Sequence, residues 1–136
     1  MPSIEEAYAE LLSLAREIHA LNAAKEILEW DQETCMPRKG VELRSREVSA
    51  LAGVIHQRET ADRLGELVEL LEAEDLEAGP AANVRDLRRN FDKARKVPAE
   101  LVKRIAAVGS QAMEAWARAR QQSDFPAFAP LLTEMV

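Results

Sequence analysis

The sequence predicts an all-α protein of about six helices folded as antiparallel hairpins into a bundle. Three observations predict it. The 136 residues include 23 Ala, 18 Glu and 16 Leu, whereas Val, Ile and Thr together number 17, so helix formers far outweigh strand formers. Apolar residues recur at three- and four-residue intervals rather than alternating. Pro37, Gly79-Pro80 and Pro98 fall between these periodic stretches and mark their ends.

The first helix opens on a capping box, Ser3 followed by Glu6, and carries Ile4, Tyr8, Leu11, Ala15 and Ile18 on one seam and Leu14, Leu21 and Leu28 on a second. It should fail within Trp30 to Thr34, because Pro37 disfavours a helical Met36. Trp30 to Pro37 is therefore a structured corner. A second helix starts near Gly40 with Val41, Val48, Leu51, Ala52 and Ile55 on one face. Thr60 is the expected N-cap of a third, with Leu64, Leu67, Val68 and Leu71 inward. At Gly79-Pro80 the glycine should end one segment and the proline open the next, a helix with Val84, Leu87, Phe91 and Ala94 on its stripe. Pro98 closes that helix and opens a fifth, striped by Leu101, Ile105, Val108, Ala112, Ala115 and Ala119 with Trp116 beside it. The small residues Ala106, Ala107, Gly109 and Ser110 permit a close helix crossing. Asp124 or a neighbour caps a last helix crowded with Phe125, Phe128, Leu131, Leu132, Met135 and Val136.

Charge narrows the function. The net charge of −6 argues against a general nucleic-acid binder or a basic membrane-surface protein. Thr60 to Gly79 holds seven acids and one base, and Arg85 to Arg104 holds eight bases and three acids, which suits an antiparallel pair of helices of opposite sign. The basic run Arg85, Arg88, Arg89, Lys93, Arg95 and Lys96 is better read as a solvated face meeting that acidic helix than as a nucleic-acid surface, since Phe91 falls on the apolar stripe. The single Cys35 excludes an internal disulfide and fits a reducing, cytoplasmic setting. No basic leader or long apolar run marks a signal peptide or a membrane span.

Candidate chemistry is sparse. Zinc needs three or four convergent ligands, and only His19, His56 and Cys35 offer nitrogen or sulfur. His56 and Glu59 stand at i, i+3, but a helix-end histidine beside a surface glutamate is the commoner arrangement. Asp31, Glu33 and Cys35 alternate without being forced to converge. No glycine-rich phosphate loop occurs among Gly40, Gly53, Gly65, Gly79 and Gly109. Trp30-Asp31 is the most unusual local feature. Its default reading is a corner lock, with the carboxylate seeking a cation such as a nearby arginine, and a ligand contact is the minority reading. The chain stops on Leu131-Leu132-Thr133-Glu134-Met135-Val136, without a cap or a base in the last turn, as an interrupted helix would. A terminal helix docked on its own bundle or on a second copy is the alternative.

The corner also carries a resemblance. Leu28 to Pro37, with Trp30, Asp31, Gln32, Met36 and Pro37, resembles the first signature segment of the carboxypeptidase Taq family of zinc metallocarboxypeptidases. Arg44 to His56, Asn83-Val84-Arg85, Val97 to Val102, Trp116 to Arg120, and Ser123-Asp124-Phe125 leading to Phe128-Ala129-Pro130 follow in register. Cys35 departs from it, standing where an aromatic is common. The resemblance implies a peptidase whose zinc is held by an HExxH motif and a downstream glutamate, removing C-terminal amino acids from peptides. No HExxH occurs in these residues, so no catalytic, cofactor-binding or metal residue carries over, and His56 and Trp116 enter only as family-matching positions. It implies a single helical region over residues 1–136, an incomplete N-terminal portion of a larger catalytic domain that forms part of the wall or cover of the substrate groove. Such a chain is expected to be inactive alone, and its expected partner is the remainder of the enzyme. The rival reading is a free-standing helical module without enzymatic activity that self-associates through Phe125 to Val136.

Overall fold

A computed structural model describes residues 1–136. It is all-α: α1 (Ile4–Thr34), a 3-10 turn (Arg38–Gly40), α2 (Val41–Glu59), α3 (Asp62–Glu72), α4 (Ala78–Arg95), α5 (Ala99–Gln122) and α6 (Phe125–Met135). No helix is long and apolar enough to cross a membrane. The chain sorts into two compact units, the first made of residues 1–22 and 54–98 and the second of residues 23–53 and 99–136.

The first unit is built on α3 and α4. Leu64, Leu67, Val68 and Leu71 of α3 are buried together with Val84 and Phe91 of α4 and Ala7 and Leu11 of α1. Tyr8, Leu14, Ile18 and Leu87 pack around them. The two helices run antiparallel: Arg88 bridges Glu72 at 3.0 Å, and Arg95, at the end of α4, reaches Asp62, at the start of α3, at 3.8 Å. These pairs join the acidic and basic helices, although exposed pairs contribute only about 0–1 kcal/mol each. Gly65 permits the closeness, since a Cβ there would stand 2.6 Å from Cζ of Phe91. The capping box forms as read, Ser3 N donating to Glu6 Oε2 at 2.8 Å and Glu6 N to Ser3 Oγ at 3.2 Å.

Two helix starts differ from expectation. Ala61, not Thr60, occupies the N-cap of α3, because the Thr60 hydroxyl donates back to the His56 carbonyl at 2.7 Å and so helps to finish α2 instead. Gly79 does not terminate α3. That helix ends at Glu72, and Gly79 and Pro80 sit inside the first turn of α4, where proline's missing N–H needs no partner.

The second unit contains the end of α1, the start of α2, α5 and α6. Val48, Ala52, Val108, Ala112 and Ala119 are its buried apolar residues, accompanied by buried Gln32, Ser45 and Ser110. Gln111 Nε2 donates to Ser45 Oγ at 3.3 Å and Ser49 Oγ to the Lys103 carbonyl at 3.1 Å, tying α2 to α5. The stripe expected along α5 is buried only in part: Leu101 and Ile105 are exposed, as is Trp116. Asp124 caps α6 through its carboxylate, which accepts from Ala127 N at 3.3 Å, and no residue of α6 is buried.

Candidate functional site

The corner at the end of α1 is held from three directions. α1 runs to Thr34, the last position of the window read for its end, so Trp30 to Thr34 are its final turn and the bend itself is Cys35 to Pro37. The amides of Cys35 and Met36 both donate to the Asp31 carbonyl at 2.9 Å, closing the helix end. After Pro37, whose φ of −61° and ψ of 141° are extended, the 3-10 turn closes with Gly40 N donating to the Pro37 carbonyl at 2.8 Å. A Cβ on Gly40 would stand 3.2 Å from Cγ of Met36, so the glycine leaves the methionine its place beneath the turn.

Arg44 of α2 supplies the cation that Asp31 needs. Its Nη2 donates to Asp31 Oδ2 at 2.7 Å, its Nε to Glu47 Oε2 at 2.9 Å and its Nη1 to the Leu28 carbonyl. The hydrogen bond it donates to Asp31 leads in holding the guanidinium pKa above its ordinary value, against the opposing pull of burial. Gln32, one residue on, is buried against α5. Its Nε2 donates to the Ser110 carbonyl at 2.8 Å, and Ser110 Oγ donates to Gln32 Oε1 at 2.7 Å.

Beside this lock lies a cavity of about 620 Å³ lined by Gln32, Met36, Arg38, Met113, Glu114 and Trp116. Arg38 is aimed along α5 by donating to Gln121 Oε1 at 2.7 Å, and the Arg120 guanidinium lies 5.6 Å from the centre of the Trp116 ring. The fold thus brings Gln32, Met36 and Trp116 to one cavity, whereas Asp31 works in the lock beside it. Trp30 is 62% exposed and takes no part in the lock, which is made by Asp31 and Arg44. His56 belongs to the other unit, buried near the end of α2. Its neighbour Glu59 has its carboxyl pushed above the usual range by burial, with His56 pulling the other way. Ser110 and Arg44 carry the geometry, although the sequence marks Ser110 only as one of a run of small residues and Arg44 only as the start of a family-matching segment. The run of small residues around Ser110 marks a close crossing, which is the signal that leads to it.

The chemistry available here is positioning. No three His, Cys, Asp or Glu side chains converge as metal ligands, so the residues present do not fit a zinc ion. Cys35 is an exposed free thiol. On α4, Arg88 and Arg95 face acids of α3, and Arg89 pairs with Asp86 at 3.3 Å.

Residues 10–136 match the family described as carboxypeptidase Taq (M32) metallopeptidase. The chain belongs to that family. The thermostable carboxypeptidase 1 of Thermus thermophilus is 39% identical over 132 residues, which cover 94% of this chain and 26% of the relative. Carboxypeptidase 1 of Bacillus subtilis is 28% identical over 129 residues, 93% of this chain and 26% of its own length. Among solved structures, that of BsuCP superposes with a TM-score of 0.87 at 28% identity over 93% of this chain and 26% of that one. Trypanosoma cruzi metallocarboxypeptidase 1 gives 0.70 at 30% identity over 97% and 26%. The chain therefore spans about a quarter of the length of the carboxypeptidase Taq relatives it matches.

Proposed function

We propose that these helices are the N-terminal quarter of a cytoplasmic zinc metallocarboxypeptidase that removes C-terminal amino acids from peptides, and that they shape the wall or cover of its substrate groove without contributing to the chemistry. The observation that carries this reading is the family match over residues 10–136 against relatives roughly four times as long. Zinc supplies water activation and carbonyl polarisation in an HExxH site, and no side chains of this chain gather to hold it. The Asp31–Arg44 and Gln32–Ser110 locks fit a scaffolding role, since both spend their polar groups on each other. The 136 residues alone should release no amino acids from the C-terminus of a test peptide, with or without added Zn²⁺. Metal-dependent release by this chain alone would overturn the proposal.

One observation favours a second reading, a free-standing module that self-associates through Phe125 to Val136: α6 has no buried residue. Sizing across a range of concentrations separates the two, because a module of this kind runs as a discrete oligomer whose formation is abolished by Phe125→Glu.

A further inference from the structure

Where α5 meets α6, an aromatic pocket lies beside a cation that nothing neutralises. Trp116, Ala119 and Arg120 stand at i, i+3 and i+4 on one face of α5, and Phe125 and Phe128 at i, i+3 on α6. With Ser123 at the turn, these side chains line a cavity of about 250 Å³. Ala119 is buried, and the rings of Phe125 and Phe128 meet edge to face with their centres 6.5 Å apart. Trp116 and Phe125 nonetheless stay 48% and 62% exposed, so their ring surface is open to an entering group.

The other arginines of this unit, Arg38, Arg44, Arg46, Arg104 and Arg118, each meet a carboxylate or an amide oxygen. Arg120 meets neither and lies over the Trp116 ring instead. The α5 dipole favours a cation in its last turn, but it occupies none of the guanidinium N–H donors. No acid lines the pocket, and the nearest in sequence, Asp124, spends its carboxylate on Ala127 N.

We infer that this pocket binds the C-terminal aromatic residue of a peptide, its ring among Trp116, Phe125 and Phe128 and its carboxylate on Arg120. The assignment goes beyond the wall or cover role and takes from the proposed function only the source of the peptide. Three features select that ligand. The planar guanidinium fork matches a carboxylate through two parallel hydrogen bonds. The cavity is smaller than the roughly 300–1,000 Å³ of drug-sized sites, which leaves room for one residue rather than a length of chain. The lack of an acid favours a peptide-linked residue over a free amino acid, whose ammonium would find no carboxylate here.

Trp30→Phe leaves Trp116 as the only tryptophan of the 136-residue chain, so its fluorescence reports on the pocket. N-acetyl-phenylalanine should change that fluorescence saturably. N-acetyl-phenylalaninamide, which keeps the ring and loses the negative charge, should bind about tenfold or more weakly, and Arg120→Gln should weaken the acid by a similar factor. Free phenylalanine should bind less tightly than its N-acetyl form. The pair of probes needs no variant in the pocket, so it decides the matter if Arg120→Gln does not fold. The inference is overturned by an absence of saturation, by equal affinity for acid and amide, by a folded Arg120→Gln that binds as before, or by free phenylalanine binding as tightly. A fluorescence change that follows protein concentration alone would give the pocket to a second copy and overturn it too. Should the chain alone release amino acids from a peptide while this binding holds, the proposed function falls and the pocket stands. An inert chain that fails to bind N-acetyl-phenylalanine does the reverse.

Discussion

Gln32 and Ser110 exchange hydrogen bonds in both directions, the glutamine amide donating to the serine carbonyl at 2.8 Å and the serine hydroxyl donating to the glutamine oxygen at 2.7 Å. Both residues are buried, so truncating either strands the other away from water. Gln32→Ala should cost about 1–3 kcal/mol, mainly through the Ser110 hydroxyl left without its acceptor. Gln32→Ala combined with Ser110→Ala should cost less than the two single changes added together. Urea unfolding of the four proteins reads this coupling, and strictly additive losses would refute the exchange.

Arg44 serves three acceptors from one planar head, a task lysine's single ammonium cannot repeat. Its side chain is only 12% exposed, so its bonds count for more than those of a surface pair. Arg44→Lys should therefore destabilise by about 1–3 kcal/mol. Asp31→Asn should lose less, since the amide oxygen still accepts. Thermal unfolding of the two variants gives the order, and an equal or reversed ranking would place the lock elsewhere.

The helices were legible in the sequence because their signals are local. Leu64, Leu67, Val68 and Leu71 follow a helical period and all four are buried. Ser3 and Glu6 close their box within one turn. The misread boundaries involve competing local bonds: Thr60 has a hydroxyl that suits an N-cap, yet the same hydroxyl reaches the His56 carbonyl one turn back. The partners at the corner were illegible for another reason. Gln32 and Ser110 stand 78 residues apart, and no periodicity encodes which serine of a small-residue run meets a given amide. The exposure of Leu101 and Ile105 was hidden too, since a periodic stripe says that a face is apolar and not what covers it.

Burial raises the pKa of Glu59 above its ordinary value of 4.5, with the charge interaction with His56 opposing the shift. A carboxyl whose folded pKa exceeds its unfolded one binds more protons in the folded state, so its contribution is fully present below about pH 4.5 and is lost as pH rises through the folded value. Glu59→Gln removes this loss. The variant's midpoint should gain on the parent as pH climbs from 4 to 7, and a gap that narrows over that range would contradict the sign. Glu10 works oppositely, because its hydrogen bond from Arg63 holds its pKa down and its contribution fades as pH falls.

Gly65 and Gly109 both lie within helices and should respond in opposite directions to alanine. At Gly65 the new Cβ would meet Cζ and Cε1 of Phe91 at 2.6 and 3.1 Å, and that ring is 5% exposed in the core with the Arg95 guanidinium 5.3 Å from its centre. The ring must shift, at about 1–3 kcal/mol. At Gly109 nothing lies within 4 Å, so alanine only stiffens the unfolded chain and should stabilise by about 0.5–1 kcal/mol. Chemical denaturation of Gly65→Ala and Gly109→Ala checks both signs at once.

Ser123 is the one non-glycine residue with positive φ, at 53°. Its position explains the angle. Asp124 N donates to the Ala119 carbonyl at 2.8 Å and Ser123 N to the Arg120 carbonyl at 3.3 Å, the paired bonds that end a helix through a left-handed residue. That conformation crowds a Cβ against the neighbouring carbonyl at about 1–2 kcal/mol, a strain glycine does not feel. Ser123→Gly gives back part of the gain through the greater freedom of the unfolded chain, so a net stabilisation of roughly 0.5–1 kcal/mol is expected. The same change leaves the Asp124 cap intact, whereas Asp124→Ala should fray α6 by removing the acceptor for Ala127 N. Amide exchange along α6 distinguishes the two: slower or unchanged in Ser123→Gly, faster in Asp124→Ala. Faster exchange in both would mean that the serine hydroxyl, rather than the backbone angle, secures the turn.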